Sequence, residues 1–187
     1  MRSTLRTTLP TLAMLAALAL PAGAQHQHAS TVTADLREDI EQVEKKMLDL
    51  ARAIPEDKYG WRPGAGVRSV GEVVMHVAAD NYLIPAAIGF PADASTGIKG
   101  DDYKTAVAFE KRSANKAAAI AEMEKSFAFL KKSLAATGAD KLNAPVSMFG
   151  MTLTSQKAWI MATTHLHEHL GQLIAYARSN GVAPPWS

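Results

Sequence analysis

The sequence predicts an all-α fold, a four-helix bundle whose loops are long enough to permit crossover connections. Apolar residues recur at intervals of three and four, which is the spacing of one buried helix face. The stretch from about Thr105 to Ala136 contains neither Gly nor Pro. No run of alternating apolar and polar residues bounded by turn residues indicates a sheet. These patterns divide the chain into four helical segments.

The first helix is expected to begin at Thr33, a suitable N-cap with Asp35 in the first turn, and to end near Pro55. The loop from Pro55 to Arg68 contains Trp61, which we expect to anchor the loop on the core. The apolar face of this helix consists of Leu36, Ile40, Val43, Met47, Leu50 and Ile54.

Ser69 and Glu72 have the Ser-x-x-Glu spacing of a capping box and are predicted to open the second helix. This helix should end between Pro85 and Pro91, with Gly89 helping to terminate it. Its apolar stripe runs through Val73, Val77, Leu83 and Ile84.

The third helix is predicted as one continuous segment from about Thr105 to Ala136, because its many Ala, Lys, Glu and Leu residues favour helix. Gly138 is expected to close it. Residues 143–150 are interpreted as a connection. The fourth helix should run from about Ser155, capped by Thr154, to Asn180, where Gly181 supplies a left-handed C′ residue and Pro184-Pro185 prevent continuation.

Composition and charge exclude several classes of protein. The 187 residues include no Cys, 48% are hydrophobic and 20% are charged, which is typical of one globular domain and excludes a disulfide scaffold. The formal charge of +2 includes Arg2 and Arg6, and without them basic and acidic residues balance. A neutral chain with no basic run is not expected to bind nucleic acid or an anionic membrane surface.

The amino-terminal segment resembles a secretory signal. Residues 1–24 contain the basic residues Arg2 and Arg6, an apolar stretch from Leu12 to Leu20 and a small-x-small site at Ala22-Gly23-Ala24. That stretch is shorter than the roughly 20 residues needed to span a bilayer. We therefore predict a signal peptide over residues 1–24, a flexible tail over 25–32 with solvated histidines, and a bundle domain over 33–187 that is periplasmic or secreted.

Three histidines lie close together in the fourth helix. His165 and His169 differ by about 40° around a helix axis, whereas His167 points about 160° away from either. The pair could therefore share one metal ion, for which a third ligand is required. His76, between Val73 and Val77 on the second helix, is the candidate, although a lone histidine on an apolar face is more often a core residue.

The same segment permits a competing interpretation. Residues 165–169 also fit the H-x-x-E-H pattern of inverted zincin peptidases, in which Glu168 would be the general base. That pattern needs a carboxylate ligand further along the chain, and no Asp or Glu follows Gly181. We therefore favour a solvated or ion-paired position for Glu168 and a surface or interhelical contact for His167.

The histidine motif and its surroundings resemble a known family. His165-x-x-x-His169-x-Gly171-Gln172-Leu173, together with the segment from Trp61-Arg62-Pro63 to His76, is similar to the DinB-like superfamily of bacterial proteins. The resemblance implies an up-down-down-up bundle with a crossover connection, and a divalent metal held by His76, His165 and His169. The expected ion is Zn²⁺ or Ni²⁺, although three imidazoles also suit copper and iron.

The resemblance leaves two functions open. Family members with known activity use the metal to activate a low-molecular-weight thiol, so this chain is expected to be a metal-dependent transferase or hydrolase that acts on a small molecule through a thiol or water. The alternative is a non-catalytic bundle that binds a metal or small ligand, or pairs with itself as a homodimer. Gln172 and Tyr176 are candidates for lining the site or for packing, and Asp80 for supporting a metal ligand or facing solvent.

Overall fold

The structure, a computed structural model, describes residues 22–112 and 115–187, with side chains from residue 32 onward. The predicted signal peptide therefore lies largely outside the described residues, as do the side chains of His26 and His28. The described chain contains five α-helices, a β-hairpin and three short 3₁₀ turns. The helices are α1 (Ala22–Ala53), α2 (Val70–Ile88), α3 (Tyr103–Glu110), α4 (Lys116–Ala135) and α5 (Ser155–Ser179).

Four long helices form the predicted bundle. Both α1 and α2 pack mainly against α4 and α5, which places α1 and α2 at opposite corners, and the short helix α3 packs against α2. Ion pairs join Arg52 to Glu124 and Glu44 to Lys131, so α1 and α4 run antiparallel. An up-down-down-up order requires that relation, and the rest of this topology stays a prediction. The largest fully buried side chains include Ile40, Met47, Phe127, Leu130, Trp159 and Leu173.

Helix α1 begins earlier than the sequence indicated. It starts at Ala22, so Thr33 lies inside the helix and is not its cap. The backbone of residues 25–32, expected to form a tail, belongs to this helix. Neither Gly nor Pro occurs between Ala24 and Thr33, so no helix breaker separates the two segments.

The predicted start and end of α2 are confirmed. Ser69 accepts a hydrogen bond from the Glu72 amide, and the Glu72 carboxylate accepts one from the Ser69 amide. Gly89 ends the helix with φ 106°, in the left-handed region that suits glycine. In the preceding loop, Trp61 packs on the core, with its ring edge-on to Tyr176 at 5.2 Å.

The predicted continuous third helix is wrong, because the segment forms two helices, α3 and α4. Asn115 caps α4 by accepting a hydrogen bond of 2.9 Å from the Ala118 amide. An asparagine cap can start a helix without any Gly or Pro, and this is the signal that helix propensity alone overlooked. Gly138 does not supply a left-handed C-terminal residue either: its φ is −68° and it precedes the 3₁₀ turn Ala139–Lys141.

The connection before the last helix is a β-hairpin, which the sequence did not predict. Strands β1 (Pro145–Met148) and β2 (Met151–Thr154) pair antiparallel, with Met148 opposite Met151. The turn residues Phe149 and Gly150 both have positive φ, 52° and 75°. Positive φ at both positions is the geometry of a tight two-residue hairpin turn, for which Asn-Gly rather than Phe-Gly is the usual signal.

Helix α5 follows the hairpin directly, and its predicted boundaries are confirmed. Thr154 caps it by accepting a hydrogen bond of 3.1 Å from the Lys157 amide. Gly181, with φ 74°, follows its end. The remaining 3₁₀ turns are Glu56–Lys58 and Ala94–Thr96. In the part of the chain that the structure describes, no helix is both long enough and apolar enough to cross a bilayer.

We predict that Asn115→Ala destabilises the protein by about 1 kcal/mol, because the first turn of α4 loses the side-chain acceptor for an amide. Urea denaturation followed by circular dichroism would measure this loss. Asn115→Asp, which keeps the acceptor, is the matched control and should unfold close to the wild-type midpoint. Equal stability of the Ala and Asp variants would contradict the capping role.

Candidate metal centre

The structure brings together the three histidines that the sequence singled out. His76 of α2 and His165 and His169 of α5 place one ring nitrogen each within 4.8 Å of one another. The Nε2 atom of His165 lies 3.3 Å from Nε2 of His76 and 3.0 Å from Nε2 of His169. The side chain of His169 is buried, and those of His76 and His165 are half-buried at the edge of the core. The cluster therefore joins two helices that are distant in sequence.

The spacing of these nitrogens fits a shared metal ion. Histidine nitrogens bind zinc-type ions at about 2.0–2.1 Å, and a tetrahedral arrangement then sets the nitrogens about 3.3 Å apart. The two observed separations, 3.3 Å and 3.0 Å, are close to that value. Two neutral imidazoles that both point a lone pair at this distance repel each other unless a proton or a cation lies between them. The donor set is thus suited to a divalent ion.

The outward nitrogen of His76 is held by a carboxylate from another helix. Oε2 of Glu110, the last residue of α3, lies 3.2 Å from Nδ1 of His76. Arg68, just before α2, hydrogen-bonds both carboxylate oxygens of Glu110. A carboxylate accepts the Nδ1 proton, so Nε2 keeps its lone pair for the common point. Metal-binding histidines usually have such a partner on the other ring nitrogen.

The outward nitrogen of His169 is held in the same way by an amide. Nδ1 of His169 donates to Oε1 of Gln172 over 2.8 Å, and Nε2 of Gln172 donates to the Tyr176 hydroxyl over 2.9 Å. Tyr176 in turn packs against Trp61. Gln172 therefore orients a histidine of the cluster, and Tyr176 supports Gln172 while it packs between elements. The packing alternative therefore holds for Tyr176, whereas Gln172 supports a histidine of the cluster.

Asp80 also faces the cluster and does not simply face solvent. It lies one turn beyond His76 on α2, and its Oδ2 atom is 3.1 Å from Nε2 of His165 and 3.5 Å from Nε2 of His76. A carboxylate in this position touches the inner nitrogens of two rings, unlike Glu110, which contacts an outer one. It can complete a metal site as a fourth ligand, or it can accept a proton there.

His167 and Glu168 stay apart from the cluster. Both side chains are exposed, and Nε2 of His167 lies 2.9 Å from a carboxylate oxygen of Asp39 on α1. This is the interhelical contact expected for His167. The arrangement does not assemble the H-x-x-E-H peptidase pattern, in which Glu168 would have to face the reacting centre.

Burial and local charge shift the pKa values of two groups, His169 and Glu110, without a metal. Burial, together with the charge that His165 would carry, lowers the pKa of His169 from 6.5 to about 4, although the Gln172 hydrogen bond opposes this. Burial disfavours the charged form of Glu110, but the hydrogen bonds from His76 and Arg68 outweigh it and lower its pKa to about 2. A neutral imidazole and an ionised carboxylate are the states that a cation needs.

Sequence reasoning missed Glu110 and Arg68. Glu110 was placed inside a continuous third helix, where a glutamate is an ordinary exposed residue. Only the separate helix α3, packed on α2, brings this carboxylate to His76. The one available signal was the possible cap at Asn115, which would have ended the preceding helix near Glu110.

We predict that the metal-free protein loses stability as the pH falls from about 6.5 to about 4. In that range the unfolded chain protonates His169, whose ordinary pKa is 6.5, while the folded chain does not until about 4. Because the unfolded state then binds more protons, the free energy of unfolding falls as the pH falls. The contribution of His169 to stability is fully present only above its ordinary pKa of 6.5. Urea denaturation in the presence of a chelator, repeated across this range, would measure the loss.

The control for this titration is His169→Gln, which has no titrating ring at this position. The wild-type protein should lose more stability than the variant between about pH 6.5 and 4. Parallel pH profiles for the two proteins would contradict the buried neutral state of His169.

Known proteins share this fold. The structure is similar to a DinB-like protein from Bacillus cereus ATCC 10987, with a TM-score of 0.63 and 13% identity over 76% of this chain and 89% of that chain. A DinB-like protein from Bacillus subtilis gives a TM-score of 0.60 and 19% identity over 79% of this chain and 92% of that chain. An uncharacterised protein from Escherichia coli UTI89 gives a TM-score of 0.60 and 14% identity over 81% of this chain and 95% of that chain.

The sequence comparison reaches the same family. No curated protein matches the chain. The model of the DinB superfamily, however, matches residues 39–173, which include all three histidines of the cluster. The resemblance noted in the sequence is therefore confirmed, and the chain belongs to the DinB superfamily.

Proposed function

We propose that this protein is an exported enzyme that binds a divalent metal, Zn²⁺ or Ni²⁺, through His76, His165 and His169. It would act as a transferase or hydrolase that activates a thiol or a water molecule to attack a small electrophile. The observation that carries the proposal is the convergence of three Nε2 atoms at separations of 3.0 and 3.3 Å, with their outer nitrogens held by other side chains. Metal binding is general in the superfamily, and export rests on the signal-like residues 1–24.

The metal would supply one kind of chemistry: when bound, it lowers the pKa of a water or thiol toward neutrality. The residues of this chain do the rest. His76, His165 and His169 would hold the metal, and a small molecule or Asp80 would supply a further donor. Oδ2 of Asp80, 3.1 Å from Nε2 of His165, is placed to accept a proton from a nucleophile that enters beside the rings.

Glu110 would act as a positioning residue, because it contacts His76 and not the reacting atoms. With Arg68 fixing both of its oxygens, Glu110 holds the ring of His76 in one orientation and in the tautomer that leaves Nε2 free. The partly buried ion pair with Arg68 keeps this carboxylate charged. Ring orientation matters because the lone pair must point at the common position for binding.

Metal content tests the ligand set. We predict about one ion per chain in the wild-type protein and a loss of most of that ion in His76→Ala, His165→Ala and His169→Ala, since two imidazoles bind far more weakly than three. Elemental analysis of the purified proteins would measure it. His167→Ala is the matched control, because His167 belongs to the same helix but pairs with Asp39. Equal metal content in all five proteins would refute the assignment.

Metal affinity tests the positioning role of Glu110. Glu110→Ala should weaken binding by about 10- to 100-fold, as expected when a histidine ligand loses its outer partner. Glu110→Gln should recover part of the affinity, because its amide oxygen can still accept the Nδ1 proton. Competition with a chromogenic chelator would give the dissociation constants.

The control for the Glu110 variants is Glu124→Ala, which removes an exposed carboxylate that pairs with Arg52 on the other side of the bundle. Its metal affinity should equal that of the wild type. If Glu110→Ala binds as tightly as this control, Glu110 has no positioning role.

Turnover separates an enzyme from a binding protein. The metal-loaded protein would be assayed with esters and alkylating electrophiles, with water or a small thiol as the nucleophile, and metal-dependent turnover would support the proposal. The proximity of Asp80 to two of the rings favours one alternative, a closed site in which this carboxylate is the fourth ligand. In that case the wild-type protein would be inactive, and the absorption spectrum of the Co²⁺ form would change when Asp80 is replaced by Asn.

A further inference from the structure

A second feature of the molecule is an apolar cavity of about 590 Å³ between the hairpin and the start of α3. Its apolar lining comes from Leu83 on α2, Tyr103 on α3, and Met148 and Phe149 at the hairpin tip. Asp101 and Ser147 add polar groups to the lining. We call this cavity the hairpin pocket. Its volume is in the range of cavities that bind small molecules, about 300–1,000 Å³.

The aromatic residues of the hairpin pocket are exposed to solvent, and one of them has a strained backbone. Tyr103 is 57% exposed and Phe149 52% exposed, and the neighbouring Met151 is 47% exposed. Phe149 also has φ 52°, in the left-handed region that a bulky residue rarely adopts. The hairpin turn thus presents an aromatic ring to solvent at a position where Asn or Gly would be less strained. Such a strained, exposed ring is typical of a binding surface.

The hairpin pocket lies further along α2 than the histidine cluster, because α2 and α3 pack antiparallel. His76 meets Glu110 at one end of the pair, and Leu83 and Tyr103 line the same pocket at the other end. Beyond them, the backbone of Gly100 lies against α2 so closely that a Cβ there would be 2.3 Å from the carbonyl carbon of Ala86. Residue numbers therefore rise along α2 from His76 to Ala86 while they fall from Glu110 to Gly100, as expected for two antiparallel segments.

Helix geometry then gives the distance from the pocket to the cluster. Asp80 and Leu83 are three residues apart and share one face of α2, so Leu83 lies about 4.5 Å further along the helix axis than Asp80 and about 10 Å further than His76. Tyr103, Val107 and Glu110 share one face of α3 in the same way. A molecule about 10 Å long would therefore span the axial distance from Leu83 to the level of His76.

We infer that the hairpin pocket is the subsite that binds the apolar body of the small molecule whose reactive group meets the histidine cluster. This inference rests on the proposed function and names its substrate class: a molecule with a neutral aryl or short alkyl body, about 10 Å from the reacting group. Tyr103 and Phe149 offer ring faces and edges to such a body. Asp101 disfavours an anionic group at that end, so any negative charge on the molecule belongs at the metal end.

A neutral fluorescent probe tests the subsite without any assay of activity. N-phenyl-1-naphthylamine would be titrated into the full-length protein loaded with Zn²⁺, and we expect saturable binding with one site per chain. Tyr103→Ala and Phe149→Gly should each weaken binding by about tenfold through loss of an aromatic contact. Phe149→Gly also suits the positive φ, so this variant should fold at least as well as the wild type.

Trp186→Ala is the matched control, because Trp186 is another exposed aromatic residue, 41% accessible, that does not line the pocket. It should leave probe binding unchanged. Absent saturation, or equal probe affinity in all four proteins, would overturn the subsite. So would a change in oligomeric state of Tyr103→Ala and Phe149→Gly during gel filtration, since the surface would then be a protein contact.

Cu²⁺ tests whether the pocket and the cluster are one site. Cu²⁺ bound at the histidines should quench the fluorescence of the bound probe, because the two would be about 10 Å apart, and His165→Ala should abolish the quenching but not the probe binding. Probe binding without quenching in a protein that does bind Cu²⁺ would overturn the link between pocket and cluster. A protein that binds the probe but neither Cu²⁺ nor Zn²⁺ would instead refute the proposed function, and the subsite with it.

Discussion

The mutual approach of three imidazole nitrogens is the constraint on which the site depends. Nitrogens 3.0 and 3.3 Å apart, at the edge of a hydrophobic core, would turn lone pairs toward one another unless a proton or a cation lies between them. Outer hydrogen bonds keep at least two of the rings in this arrangement, one donated by His76 to Glu110 and one by His169 to Gln172. The fold therefore holds together a set of donor nitrogens that a shared proton or a divalent cation can bridge.

The interruption between α3 and α4 serves this arrangement. A continuous third helix would follow one axis, and its residues could not contact both the edge of α2 and the bundle core. With the chain broken near Asn115, α4 supplies buried residues such as Phe127 and Leu130 to the bundle, while α3 packs separately on α2. Helix α3 then offers Glu110 to His76 at one end and Tyr103 to the hairpin pocket at the other. One short helix thus contributes to both parts of the proposed site.

The predictable features were those with local signals. The capping box of Ser69 and Glu72, the Thr154 cap and the glycine after α5 depend on residues a few positions apart, and all three are present as expected. The pairing of His165 with His169 likewise follows from one helical turn. The contact of His165 with His76 spans 89 residues of sequence, and spacing alone could only nominate His76, because the packing of α2 against α5 decides the contact.

The features that escaped prediction lacked such signals or had misleading ones. The hairpin strands are only four residues each and contain Pro, Met and Ser, so no alternating pattern stands out. Phe149 is an unusual turn residue, which hid the turn itself. The position of this unusual turn residue in the fold relates it to the histidines. Strand β2 leads into α5 with no intervening residue, so the helix that carries His165 and His169 also fixes the strand that follows the turn at Phe149. A strained aromatic residue tied this directly to the ligand helix is placed to orient a bound molecule relative to the rings, which a flexible loop could not do.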